Sequence, residues 1–357
     1  SRGEVEEARR TLREHLADHP DQDHALLHFH LGQVLAQSDS MAAAAGEFET
    51  AVAMEPGLWP AWRNLGEVSY GEADYKRAAE AFGEAWRLDP SREEELRYYQ
   101  GVAYLQAGLG AEATDVLAEL LEDPTAETPL EWYRALLAAA VDADRPERAG
   151  PALERLTLLH PDDPEAWLLA GQQASAAQVY ASAVAALTVT GYLRPLTIDE
   201  QRRLGDLCLA AEAPSRAIRH FEAVVDSFDE ATPEDLERLV SAYLAADRAR
   251  EALLVLDRRL QASSSARLWR LKGELHYGEA EFAAARTAFA EAAERDPADR
   301  EYDLLQGYCL IEMGDHAAAA GHLLKAGEDP RLAGRAREGL AYLGALEEQE
   351  KAAGANP

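Results

Sequence analysis

The sequence predicts an all-α fold of short antiparallel helix pairs stacked in tandem, and three observations carry that reading. Two distant stretches share one pattern: WRNLGEVSYGEADYKRAAEAFGEAWRLDP, from Trp62 to Pro90, and WRLKGELHYGEAEFAAARTAFAEAAERDP, from Trp269 to Pro297. Each sets an aromatic, a Gly four residues on, then Ala, an aromatic and Ala at equal offsets, and closes on Pro. The same frame recurs along most of the chain, with closing prolines 34 residues apart from Pro56 to Pro90 and from Pro161 to Pro195. A fixed period of this size marks a stacked repeat, in which each unit buries its apolar face only against its neighbours.

Each anchor has a physical role. Gly66 and Gly273 lack a Cβ, so helix A of a pair can approach its partner closely, and the small Ala78 and Ala285 do the same from helix B. Phe82 and Phe289 are expected to fill the space between neighbouring units. The closing Pro cannot continue a helix and therefore ends helix B.

Taken in order, Ala8, Leu12 and Pro20 fit a lone helix B, an N-terminal partial repeat over residues 1–24. Nine units follow over residues 25–331. The first holds Leu31, Gly32, Ala44, Phe48, Ala51 and Pro56, and the second is the Trp62 stretch. The third has Gly101, Tyr104, Ala113 and Pro124; the fourth has Leu136, Ala149, Leu153 and Pro161. Pro151 falls in the first turns of the fourth unit's helix B, so that helix is predicted to start late or kink. The fifth unit holds Trp167, Gly171, Ala183, Leu187 and Pro195. The sixth keeps Leu204, Gly205, Ala217 and Phe221 without the Pro, and the seventh keeps Leu239, Tyr243, Ala252 and Leu256 without the Gly. The stack is therefore least regular around residues 225–265, where ASSSAR (262–267) reads as a polar loop and a candidate joint. The eighth unit is the Trp269 stretch, and the ninth has Gly307, Ala319, Leu323 and Pro330. A capping helix over 332–350 carries the apolar stripe Leu340, Leu343 and Leu346, and residues 351–357 form a tail.

This pattern resembles the tetratricopeptide repeat (TPR), a helix-turn-helix unit of 34 residues, and the resemblance covers about 300 of the 357 residues. It implies a right-handed superhelical solenoid of about nine units plus terminal helices. It also implies that the second, fifth, ninth and twelfth positions of each helix A line a concave groove that holds ligands. The fifth position carries Arg63, Arg134, Arg202 and Arg270 in units two, four, six and eight; Tyr70, Tyr98, Tyr277 and Tyr308 fall at other inward positions. Arg and Tyr anchor interfaces because they join broad contact area to directed hydrogen bonds. A spaced row of Arg suits an extended acidic peptide or an acidic helix. The competing reading is that each Arg pairs with a nearby carboxylate such as Glu67, Glu131 or Glu274. A carboxylate clamp like that of chaperone-binding TPR proteins does not fit. Its positions hold Phe29, Gln33, Asn64, Glu95 and Tyr99, and only the Asn matches.

Charge and motifs narrow the function further. With 35 Lys and Arg against 65 Asp and Glu, the net charge is −30, which opposes nucleic acid and anionic membrane surfaces. The longest apolar run, Ala135 to Val141, cannot span a bilayer. Cys208 and Cys309 read as buried free thiols. His15 and His19, and His24 and His28, are spaced i, i+4, but no further ligand pattern accompanies them, so no metal and no cofactor is expected. No phosphate-cradling, nucleophile-elbow or zinc-protease motif is present, and acidic clusters such as Glu93, Glu94 and Glu95 read as solvated helix faces.

The chain is expected not to be an enzyme but a scaffold that holds a protein or peptide in its groove. The alternatives are a structural assembly protein associating through its ends or convex face, and the regulatory arm of a larger enzyme. It begins at Ser1 without Met and reads as a mature or truncated form. The middle third, including PLEWYRALLAAAVDADRPERAGPALERLTLLHPDDPEAWLLAGQQ and LGDLCLAAEAPSRAIRHFEAVV, resembles bacterial periplasmic TPR accessory proteins of TonB–ExbB–ExbD systems. That resemblance implies an envelope complex and favours the periplasm over the cytoplasm; partner identity and oligomeric state stay open.

Overall fold

A computed structural model describes residues 2–18, 24–38, 40–89, 94–226, 231–260 and 265–354. Expectations resting on His19, Pro20, Pro90 and Glu93, on residues 262–264 and on the last three residues of the tail lie outside these. The described residues form α-helices and connecting turns, with one short 3₁₀ segment and no strand. The chain divides into two compact units, Ser1–Pro195 and Leu196–Pro357.

The first unit opens with a lone helix, α1 (Arg2–Asp18). Five pairs follow: α2 (Ala25–Gln37) with α3 (Met41–Met54), α4 (Trp59–Gly71) with α5 (Tyr75–Leu88), and α6 (Glu95–Gln106) with α7 (Gly110–Leu120). Then come α8 (Leu130–Asp142) with α9 (Gly150–Leu159) and α10 (Pro164–Ala176) with α11 (Tyr180–Leu193). Pro151 does delay its helix. A 3₁₀ turn, Pro146–Ala149, precedes α9, which places the ring in a first turn that needs no backbone donor.

The second unit holds four pairs and a cap. These are α12 (Ile198–Ala210) with α13 (Pro214–Asp226), α14 (Pro233–Ala245) with α15 (Ala249–Leu260), α16 (Ala266–Gly278) with α17 (Phe282–Arg295), and α18 (Glu301–Glu312) with α19 (His316–Ala326). The cap, α20 (Ala333–Gly354), seats Leu343 and Ala336 in one cluster with Leu304 and Leu323. Among the inner helices of this unit α15 packs most sparsely against both neighbours.

Two devices repeat from pair to pair. The first is the seat of the Gly. A β-carbon built on Gly32, Gly66, Gly205 or Gly273 would run into the ring of Phe48, Phe82, Phe221 or Phe289, sixteen residues on in the same pair. Leu117, Leu187 and Leu323 meet Gly101, Gly171 and Gly307 in the same way. The aromatic therefore does more than was expected of it: its ring fills the gap inside its own pair, where the missing Cβ leaves room, and also packs against the next pair, as Phe82 does in one cluster with Leu96 and Ala103. The fourth and seventh pairs lack the Gly, and the buried Leu137 and Val240 stand there instead.

The second device is the turn from helix A to helix B. One residue adopts positive φ at Ala73, Gly108, Asp144, Gln178, Glu212, Asp247, Ala280 and Gly314. The next amide bonds back to the carbonyl five residues earlier, as in Asp74 N to Ser69 O at 2.9 Å and Asp315 N to Leu310 O at 2.9 Å. This left-handed closure satisfies two orphan carbonyls of helix A and reverses the chain in two residues. The free thiols Cys208 and Cys309 are buried in A helices, and burial pushes the Cys309 thiol up to about 12.

Candidate functional site

In the first unit, successive A helices touch along one face, and α4 and α6 leave a cleft of about 420 Å³ between them. Helical spacing puts Arg63, Glu67 and Tyr70 on one side of α4, facing the cleft. From α6 come Tyr98, Tyr99 and Val102, and Phe82 of α5 also lines the space. Tyr99 leans on Phe82 at 5.7 Å between ring centres, and Tyr70 meets Tyr75 edge-on at 5.1 Å. Tyr98 touches Tyr99 at 5.6 Å and stacks on the buried Trp132 of α8, also at 5.6 Å and 14° from parallel. An aromatic row thus runs across three A helices, with Tyr70 37% and Tyr99 47% exposed. Burial, and after it the charge of Glu131, pushes the Tyr98 hydroxyl above its ordinary value. Arg63 donates from Nε to Glu67 at 3.0 Å, so the cleft's cation is paired.

The other arginines of the predicted row are paired as well. Arg134 bonds Glu165 at 2.8 Å, at the start of the next A helix, and not Glu131. Arg202 holds Asp235 through two parallel bonds of 2.9 and 2.8 Å and Asp199 through a third of 2.8 Å. Arg270 reaches Glu274 and Glu301, each at 2.8 Å. In units four, six and eight the acceptor therefore sits 31 to 33 residues on, in the first turn of the following A helix. These arginines staple neighbouring units. The stripe of open positive charge expected for an acidic ligand is neutralised residue by residue.

Asp235 is the centre of the tightest such staple. It is fully buried, and it completes a capping box with Thr232, accepting from that residue's backbone N–H at 2.9 Å. Burial pushes its carboxyl up, but Arg202 and the Thr232 donors outweigh that, and the net shift is downward. The same bonds raise Arg202 above the ordinary guanidinium value. Arg270 lines a second cleft of about 460 Å³ among α14, α16 and α18, with Glu237, Arg267, Glu274, Asp299 and Tyr302. Its charges are largely answered internally: Arg267 forms an ion pair with Glu237 at 2.7 Å.

Tyr277 and Tyr308 line neither cleft. Tyr277 packs edge-on to Phe282 at 5.3 Å over the cluster of Ala285, Phe289 and Cys309, and Arg335 covers the ring of Tyr308 at 5.9 Å. Of the eight residues singled out by position, the structure thus brings three together, Arg63, Tyr70 and Tyr98. Sequence reasoning placed Tyr99 at a groove position only in testing the carboxylate clamp, did not single it out for binding, and passed over Val102. His28, at an i, i+4 spacing from His24, bonds Glu47 at 2.7 Å across its own helix pair. Among the described residues no three His, Cys, Asp or Glu side chains converge on a metal position. Nor is any described helix long and apolar enough to cross a membrane.

Tandem helical hairpins with Gly-seated rings and a recurring left-handed turn define an α-solenoid. The family description "Tetratricopeptide repeat" matches residues 1–61 and 270–333. The chain is thus similar to the tetratricopeptide-repeat family at both ends, and the pairs between them are built to the same helix-turn-helix plan. Its fold is similar to a chain of Naa15/Naa10 bound to HypK-THB, at 18% identity and TM-score 0.44 over 94% of this chain. The present chain spans 58% of that protein's length. It is also similar to a tetratricopeptide repeat protein from Parabacteroides merdae, at 13% identity and TM-score 0.39 over 80% of this chain and 98% of the other. A third, YrrB, described as a TPR protein with an unusual peptide-binding site, gives 19% and 0.39 over 50% and 91%. No curated protein sequence matches the chain. The narrower likeness to TonB-system accessory proteins finds no support in these comparisons and is set aside.

Proposed function

We propose that the chain is a non-catalytic scaffold that holds a segment of another protein along the face lined by its A helices. The observation that carries this reading is the cleft between α4 and α6, where Tyr70 and Tyr99 remain exposed in a partly apolar recess. Exposed tyrosines in a preformed recess lose little conformational freedom on binding and offer both ring area and a hydroxyl. The arginines expected to carry recognition are instead tied to carboxylates, which leaves the aromatic row as the binding element.

The test is a selection of random displayed peptides on the intact chain, followed by fluorescence anisotropy with the selected sequences. Tyr70→Ala together with Tyr99→Ala is expected to weaken binding by about tenfold or more. Selected peptides that bind the double variant unchanged would refute the assignment.

One observation favours the alternative of self-association. Leu158 is 75% and Tyr192 85% exposed, at equivalent positions near the ends of α9 and α11. A concentration-dependent dimer in light scattering that Leu158→Glu and Tyr192→Glu dissolve would establish that reading; a monomer at every concentration would remove it.

A further inference from the structure

We propose that the cleft between α4 and α6 receives the cationic side chain of a lysine or arginine in a basic segment of a partner protein. The inference rests on the groove reading above and names the chemistry of its partner.

The rings come first. Tyr70, Tyr98 and Tyr99 line one recess, with Trp132 stacked behind Tyr98. Aromatic faces are negative and attract a cation within about 6 Å of the ring centre. Elsewhere the chain satisfies such faces from within. Arg97 lies 4.5 Å from the centre of Trp86, Arg295 4.9 Å and Lys272 5.2 Å from Trp269, and Arg248 5.0 Å from Tyr243. Among the described residues no Lys or Arg is placed in this way over Tyr70, Tyr98 or Tyr99.

The charges point the same way. Arg63 lines the cleft but is bonded to Glu67, so the two cancel at short range. Glu131, exposed on α8, sits close enough to act on the Tyr98 hydroxyl and adds negative charge at that end. The whole-chain charge of −30 extends the same sign outward and speeds approach of basic segments. An acidic segment would find Arg63 already bonded and would meet repulsion from Glu131 and from the whole-chain charge. A purely apolar anchor would gain ring contact and leave Glu131 unanswered. A cation on a long aliphatic stem gains all three contributions: stem against Val102 and Phe82, charge over the rings, field from the carboxylates.

The experiment uses the intact chain and the peptides selected above. Each is resynthesised with its basic residues replaced in turn by norleucine, which keeps the stem and removes the charge. Enrichment of Lys or Arg in the selection, with a loss on the order of tenfold at one norleucine position, is the expected result. That loss should shrink in a Glu67→Gln, Glu131→Gln double variant, whose exposed side chains keep their shape, and should shrink in wild type at high salt. Peptides that lose affinity in the Tyr70→Ala, Tyr99→Ala variant yet lack basic residues, or tolerate every norleucine, would overturn this inference and leave the groove reading intact. Indifference of all peptides to the tyrosine pair overturns both.

Discussion

A β-carbon on Gly66 would lie 2.6 Å from Cδ1 of Phe82, and one on Gly273 would lie 2.5 Å from Cε1 of Phe289. Both rings are buried, so neither can swing away, and the helices must part. Gly66→Ala and Gly273→Ala should each cost about 1–3 kcal/mol in urea denaturation, despite the better helix propensity of Ala. A neutral result would mean that the pair tolerates separation. Asp235 is the second residue on which much rests, because its buried carboxylate answers Arg202 and the α14 cap together. Asp235→Asn should destabilise by about 3–5 kcal/mol at neutral pH, since it removes the buried charge that Arg202 holds through two bonds and leaves that guanidinium its exposed carboxylate partner Asp199. The pH dependence follows from the lowered folded-state pKa of this carboxyl. As acid is added, the unfolded chain takes up its proton first, near the ordinary value of about 3.9. The contribution is therefore complete above that value and drains away as pH falls through the lower folded value. Wild type should lose stability more steeply in that acid window than Asp235→Asn, and parallel curves would refute the pairing.

The turn that joins helix A to helix B argues at the next scale. Gly108 and Gly314 take positive φ without strain, whereas Ala73 and Ala280 take it against their Cβ. That conformation costs an L-residue about 1–2 kcal/mol, partly offset by the extra freedom Gly has when unfolded. Thermal unfolding should thus show Gly314→Ala destabilised by about 1 kcal/mol and Ala280→Gly slightly stabilised. The opposite signs would show that the turn relaxes. These turns also mark the limit of what was legible beforehand. Helix pairs, their number and the late start at Pro151 could be read because Gly, Ala and Pro report directly on close approach and on helix ends. The left-handed residue was hidden, since Ala, Asp, Gln or Glu occupies it in six of the eight described turns and Gly in only two. The site was half legible for a related reason. Inward positions follow from the resemblance to the tetratricopeptide repeat, which located Tyr70 and Tyr98, but whether an Arg is open or bonded depends on a residue one repeat further along. Glu165, Asp235 and Glu301 answer Arg134, Arg202 and Arg270 from the next A helix, a distance at which within-helix spacing gives no guidance.

For the whole molecule, the repeat plan determines how far a local injury travels. In a compact globule every element shares one core, and a destabilising change lowers protection everywhere. Here each helix touches its sequence neighbours and little else, and the chain parts into Ser1–Pro195 and Leu196–Pro357. Stability in such an array is a sum of unit terms and nearest-neighbour terms. Asp235→Asn removes one nearest-neighbour term, the staple between α12 and α14. Amide hydrogen exchange in the variant should therefore accelerate in α12 to α15 by orders of magnitude, as a local cost of several kcal/mol implies. Amides of α4 to α7 should keep their wild-type rates, because no link of the damaged pair reaches them. Uniform acceleration along the chain would show a single cooperative body, and the description by separable units would then fail. Localised acceleration would also mean that the cleft between α4 and α6 can be altered, or studied for binding, without disturbing the second unit.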